Sequence, residues 1–342
     1  MADPLASLAA TIVRVLIPPT MVVGVVGNSL NIAVLTRAKL YHHACSRYFL
    51  AQSIDNLLFS IVVLTFRLLA FGYSNDPSTI CLYCCKSIQY VIGVIIVVSP
   101  QLVILASVDR FCASSFDAGK RKFSNVTVAR WAITIVVIVF TIFYFSTFIL
   151  MDLQIGATVT CSIRVTTLYS RVYPIMQALL VGVIPPILMS IFGFMTIYNT
   201  KQVRAFPDST SSFRRTEGQL IRMLLLQVSS YFILCAPFAT IYIMGFLPVQ
   251  VFSLSTYYFI YKITALPYYL TYTTTFALYI LSGSIYRNET VRFMRKFFRL
   301  RCKIEVRPIF DDHTNQISLH GTTRIMSRQI HTTAPGQIIE CG

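Results

Sequence analysis

The chain has 342 residues, 55% of them apolar and 12% charged, and its 29 Lys and Arg against 13 Asp and Glu give a formal net charge of +16. Such a composition excludes an ordinary soluble domain, which could not hide so much apolar surface, and makes lipid the expected solvent. Nucleic acid is not expected as a partner, because the cations are scattered over short segments between apolar runs and form no single basic face.

A helix rising 1.5 Å per residue needs about 20 apolar residues to cross about 30 Å of hydrocarbon. Seven runs satisfy this, at 11–35, 48–71, 82–108, 128–150, 172–198, 220–247 and 253–281. The first has no basic stretch before it beyond Arg14 and is too long for the core of a cleaved leader, so it reads as a span. Lys and Arg concentrate in alternate connections. Arg37, Lys39 and Arg47 follow the first span, Lys120, Arg121 and Lys122 the third, and Lys201, Arg204, Arg214 and Arg215 the fifth. Arg287, Arg292, Arg295, Lys296, Arg299, Arg301 and Lys303 follow the seventh, whereas the remaining segments hold little beyond Arg14, Lys86, Arg164 and Arg171. Basic loops are retained against the anionic cytoplasmic leaflet, so the N-terminus is expected outside and the C-terminus inside.

After the last span, SIYRNETVRFMRKFFRL gathers Ile285, Val291, Phe293, Met294, Phe297 and Phe298 on one side and arginines on the other, the pattern of a helix lying on a membrane surface. The rest is polar, rich in Ser and Thr and without apolar period. The sequence thus predicts an all-α protein of the plasma membrane with four parts: a short extracellular N-terminus over 1–10, a seven-transmembrane helix bundle over 11–283, an amphipathic cytoplasmic helix over 284–300 and a disordered cytoplasmic tail over 301–342.

Ionisable residues inside a membrane are costly and therefore functional candidates. Asp55 lies in the middle of the second span, Asp109 and Arg110 close the third, Arg67 and Lys262 lie near the outer ends of the second and seventh, and Glu217 opens the sixth. Alongside them stand GNSLN at 27–31, LAQSID ending in Asp55, VDRF at 108–111, the lone Trp131, Cys85 twenty-five residues before Arg110, Cys161 in the next outer loop, Pro185, Pro186, Pro237, and Tyr279 just before the amphipathic helix. In order and spacing these resemble the rhodopsin-like (class A) family of G-protein-coupled receptors, as a divergent member, and the resemblance covers all seven spans.

The resemblance implies a receptor that binds an extracellular ligand and activates a heterotrimeric G protein through Asp109, Arg110 and Phe111, with Glu217 and Tyr279 as parts of the switch. Helical rise is consistent with this: about 37 Å from Cys85 to Arg110 and about 30 Å from Pro237 to Glu217 bring Arg110 and Glu217 to the same cytoplasmic mouth, where a salt bridge is feasible. The plainer reading makes these solvated interfacial charges. The resemblance also implies an outer disulfide between Cys85 and Cys161, with Cys81 and Cys84 as competing thiols in an oxidising compartment. Zinc at that cluster would lack a histidine and a fourth ligand, so no metal centre and no cofactor is expected. Cys45, Cys112 and Cys235 read as packing residues.

Asn28, Asp55 and Ser99 match positions that in the family surround a sodium ion. The alternative is a buried protonated Asp55, and Thr271 and Thr275 stand where the family usually has asparagine. Further departures are Cys235 in place of an aromatic residue before Pro237, TFALY ending at Tyr279, and Gly193 or Phe194 where a tyrosine is usual. Ile92 occupies the position at which amine receptors carry aspartate, which argues against an amine ligand. Lys262, about 25 Å above Tyr279, is too high for the retinal lysine of opsins. Arg67 and Lys262 suit an acidic small molecule or a peptide carboxylate, and equally suit snorkelling to outer headgroups. Cys302, in a basic stretch, suits S-palmitoylation or is a free thiol. A seven-span transporter or channel is the rival, but it calls for repeated halves or facing broken helices, which the sequence does not display. No HExxH or GxSxG pattern points to an enzyme. The orientation has a direct test. An epitope tag placed before Thr11 should be reached by antibody on intact cells and one after Gly342 only once cells are permeabilised; the reverse pattern would overturn it.

Overall fold

The computed structural model describes residues 4–155, 159–164, 168–203, 211–245 and 252–305, without the side chains of 39, 203, 211–217 and 297–305. Among these residues, six helices are long and apolar enough to cross a membrane: α1 Pro4–Leu35, α2 Ala44–Gly72, α3 Leu82–Ser114, α4 Val126–Leu150, α5 Tyr169–Gln202, and α6, whose apolar stretch Gly218–Met244 belongs to the helix Ser211–Met244. The seventh span is made of α7 Leu254–Thr273 and α8 Thr275–Ser282, and α9 Ser284–Glu305 follows. This is the expected seven-transmembrane bundle with an amphipathic helix after it. The chain divides into two compact units, Met1–Phe298 and Arg299–Gly342. Of the second, only the helical residues through Glu305 are described, so the expected tail and the Cys302 side chain lie outside the described residues.

Three features that the sequence reading does not give have physical causes. Helix α1 begins at Pro4, well before residue 11, because the apolar periodicity continues outward and Ala9 and Val13 pack into the bundle. The outer loop after α4 forms an antiparallel hairpin, β1 Met151–Ile155 with β2 Val159–Ile163, in which Leu153 faces Cys161. Trp131 points outward and is 65% exposed, since α4 lies at the periphery with only 11% of its apolar window buried.

Helix α3 is the axis of the bundle: 67% of its apolar window is buried, and it packs against α2, α4 and α5. Gly93 is what permits α4 to approach, because a Cβ there would lie 2.5 Å from the Tyr144 ring. Gly24 of α1 does the same against α2 and α7, where a Cβ would meet Ser60 Oγ at 2.3 Å and Thr273 Cγ2 at 2.7 Å. Small residues of this kind let helices pack tightly where lipid provides no hydrophobic drive for association.

Helix α2 contains two π turns, Phe59–Val63 and Leu68–Gly72, and α5 one, Ala178–Val183. Each π turn inserts a residue and re-aims the side chains beyond it. In α5 the reason is Pro185 and Pro186, which have no N–H to give to the preceding turn. The freed carbonyls find other donors. Gln101 Nε2 of α3 donates to Leu180 O at 2.9 Å, and the Tyr231 hydroxyl of α6 donates to Val181 O at 2.6 Å.

On the outer side Cys85 is bonded to Cys161, tying α3 to β2, and Cys81 is bonded to Cys84. The two cysteines that could have competed are thus paired with each other. A closed loop of 76 residues is worth about 4 kcal/mol in chain entropy, and a loop of 3 about 2 kcal/mol at most. Cys85→Ser and Cys161→Ser should therefore each reduce surface expression strongly, with the double variant no worse than either single one, whereas Cys81→Ser with Cys84→Ser should cost less. Additive losses for Cys85 and Cys161, measured by surface labelling, would contradict the pairing.

Candidate functional site

The interior of the bundle holds a continuous set of hydrogen bonds centred on the break between α7 and α8. The Thr274 hydroxyl bonds back to Leu270 O at 2.7 Å, a contact that bends helices, and the chain turns there without proline. Helix α1 braces the break. Asn28 Nδ2 donates to Tyr272 O at 3.0 Å, the Thr275 hydroxyl donates to Asn28 Oδ1 at 3.0 Å, and Asn31 Nδ2 donates to Thr275 Oγ1 at 3.1 Å. Thr275 thus does with a hydroxyl what the expected asparagine would do with an amide. The Tyr286 hydroxyl of α9 donates to Asn31 Oδ1 at 2.5 Å, which carries the set to the amphipathic helix.

A second branch crosses α2, α3 and α6. Ser99 Oγ donates to Asn56 Oδ1 at 2.8 Å, and Gln52 Nε2 reaches Ser99 Oγ at 3.5 Å. The Tyr279 hydroxyl lies 3.3 Å from Gln52 Oε1 and 3.1 Å from Gln227 Oε1. Of the three polar-core residues named from sequence, Asn28 and Ser99 enter these bonds. Asp55 lies beside them with Oδ2 buried and no hydrogen-bond partner for it among the described residues; its neighbour Asn56 takes the bond to Ser99. A sodium ion would find one uncommitted carboxylate oxygen here, because Asn28 Oδ1 and Asn56 Oδ1 already accept hydrogen bonds. Among the described residues no group of three His, Cys, Asp or Glu could hold a metal.

At the C-terminal end of α3, Arg110 and Asp109 are 2% and 6% exposed. Arg110 Nη2 and Nε lie 2.6 and 3.0 Å from Asp109 Oδ2, and the Ser124 hydroxyl, just before α4, donates to Asp109 Oδ1 at 2.9 Å. Phe111 packs on Phe192 of α5 with ring centroids 5.8 Å apart. The Glu217 side chain lies outside the described residues, so its pairing with Arg110 stays an expectation. Glu289 of α9 is buried at 4% exposure and pairs with Arg37 of the first inner loop at 3.2 Å.

At the outer end a cavity of about 210 Å³ opens between α2, α3, α5, α6 and α7. Arg67 and Ile92 line it, together with Gln89, Phe238, Tyr261 and Tyr269, and Lys262 is not among its lining residues. The π turns of α2 flank Arg67, and the π turn of α5 contributes Ala178 and Val181 to the wall. Ile96 and Tyr268 line it as well, and both belong to the interior network: the Tyr272 hydroxyl donates to Ile96 O at 2.9 Å and lies 2.5 Å from the Tyr268 hydroxyl.

Sequence reasoning missed Gln52, Asn56, Gln227, Ser124 and Tyr286 as members of these sites. The available signal was polar side chains three or four residues apart inside apolar runs, as in Gln52, Asn56 and Ser60.

A search of curated proteins returned no match. The family model for the seven-transmembrane receptor of the rhodopsin family matches residues 27–277, most of the chain and from the first span to the seventh. With the bundle, the outer disulfide and the buried Asp109–Arg110 pair in view, the chain belongs to the rhodopsin family of seven-transmembrane receptors.

Proposed function

We propose that this receptor sits in the plasma membrane with its N-terminus outside, binds an acidic small molecule or a peptide carboxylate at the outer cavity, and activates a heterotrimeric G protein through Asp109, Arg110 and Phe111. The observation that carries the coupling reading is the Asp109–Arg110 pair. A guanidinium buried at 2% exposure and held on its own helix by a carboxylate is kept away from any cytoplasmic partner. Moving Arg110 off Asp109 would present it at the mouth between α3, α5 and α6. Ligand binding that favours this second arrangement is a population shift between two states. Glu217, at the start of α6, is the expected second restraint.

The transporter reading calls for broken helices facing each other. The break at Thr274 is braced by α1 side chains and is not among the residues lining the outer cavity, and this favours the receptor.

The switch is tested by signalling at matched surface expression. Asp109→Asn removes the charge that holds Arg110, and since an unpaired buried partner costs about 3–5 kcal/mol, ligand-independent signalling should rise severalfold or more. Glu217→Gln removes a more exposed attraction worth about 1 kcal/mol and should raise it only a few-fold. Arg110→Ala should lose signalling and keep surface expression. Unchanged basal activity in both acidic variants, with full activation by Arg110→Ala, would contradict the proposal.

A further inference from the structure

The outer cavity presents several polar groups that the fold itself does not use. Arg67, Gln89, Tyr261 and Tyr269 line it, and no side-chain polar group of theirs hydrogen-bonds or ion-pairs with another described residue. Convergent uncommitted donors in a largely apolar recess are the mark of a ligand site. All four groups offer N–H or O–H donors and the guanidinium adds a positive charge, so an acceptor with negative charge is the counterpart that answers all of them at once.

The electrostatics agree. Arg67 Cζ lies 5.3 Å and Lys262 Nζ 5.4 Å from the centroid of the same ring, Phe71. Two cations sharing one aromatic ring repel each other, and neither is neutralised by an ion pair with a described residue. Asp76 acts on Arg67 only at a distance, with no ion pair between them, and its Oδ1 already accepts hydrogen bonds from the backbone and hydroxyl of Ser78. Arg67 sits about 8 Å inside the outer end of α2 at Gly72 and lines an interior recess, where snorkelling to headgroups does not account for it.

The size and floor of the recess narrow the class. At about 210 Å³ it is below the usual range of roughly 300–1,000 Å³ for drug-sized ligands and holds the equivalent of about seven waters. Its floor is apolar: Ile92, Ile96 and Val181, with Phe238 stacked on Tyr268 at 4.9 Å.

We propose that the outer cavity binds a small organic monoanion, its carboxylate paired with Arg67 and hydrogen-bonded by Tyr261 and Tyr269, its aromatic or branched apolar body lying on Ile92, Ile96 and Phe238. This deepens the receptor reading and rests on it for function, yet it concerns binding alone. Carboxylate–guanidinium recognition in two-point geometry supplies the affinity, and of the two ligand classes proposed above the volume of the recess selects the small molecule over a peptide segment.

The test is thermal unfolding of the purified full chain in lipid nanodiscs, with no G protein present, against benzoate, phenylacetate and isovalerate, the methyl ester of phenylacetate, phenethylamine, and a tetrapeptide with a free C-terminal carboxylate. At least one small carboxylate should raise the unfolding temperature in a concentration-dependent way, while the ester, the amine and the tetrapeptide do not. Arg67→Gln should weaken that carboxylate at least tenfold and Arg67→Lys less. Tyr261→Phe, which keeps the shape of the wall, should weaken it severalfold without changing the ligand-free unfolding temperature, so that the idea stays testable if Arg67→Gln does not fold. Equal stabilisation by ester and acid, undiminished binding in Arg67→Gln or Tyr261→Phe, stabilisation by the tetrapeptide alone, or no response to any carboxylate would overturn the proposal. Because nothing in the assay depends on Arg110, its failure is separable from a failure of G-protein coupling.

Discussion

Inside hydrocarbon a backbone carbonyl that loses its helical partner cannot turn to water, and leaving it bare costs several kcal/mol. Where α5 is interrupted by Pro185 and Pro186, and where the seventh span breaks at Thr274, other helices must therefore supply the missing bonds. Gln101 and Tyr231 do so for α5, from α3 and α6. Around the second break Asn28 does so from α1 by donating to the Tyr272 carbonyl, and Asn31 adds a bond to the Thr275 hydroxyl. Irregular backbone and interhelical hydrogen bonds are thus one feature: each interruption is tolerable only because it is also a joint between helices.

These joints lie between the two ends of the molecule. Ile96 and Tyr268 line the outer cavity and both bond to Tyr272. The backbone of Tyr272 is held by Asn28, which holds Thr275, which holds Asn31, which accepts from Tyr286 on the amphipathic helix. Tyr279 connects the same span to Gln52 of α2 and Gln227 of α6, and its ring lies 5.2 Å from Phe49 and 5.6 Å from Tyr286. A contiguous set of this kind has a physical means of biasing one end by occupancy at the other, provided that the break at Thr274 has two arrangements.

The architecture was legible in the sequence because span length and basic loops are set by bilayer thickness and surface charge, which act on every residue of a run. The motif order located Asn28, Ser99, Arg110, Tyr279 and the Cys85–Cys161 pair as well. What the sequence did not show depends on rotation about a helix axis. Asp55 and Asn56 are neighbours 100° apart, and only packing decides which of them takes the Ser99 hydroxyl. Trp131 belongs to the motif order, but that it faces outward from α4 is decided by packing. The π turns in α2 leave no compositional trace, and they flank Arg67, which lines the cavity while Lys262 does not. The outer hairpin and the Cys81–Cys84 bond depend on loop geometry that hydropathy does not encode.

The central claim is that this bundle catalyses nucleotide exchange on a G protein. The most direct measurement is GTP uptake by purified heterotrimers of each subtype, mixed with the purified chain in lipid nanodiscs. The account predicts that at least one subtype takes up GTP faster with the chain than without it, and that Thr275→Val, which cuts the bond to Asn28, changes that rate in correctly folded protein. No acceleration for any subtype, together with solute flux in proteoliposomes carrying the same preparation, would contradict it.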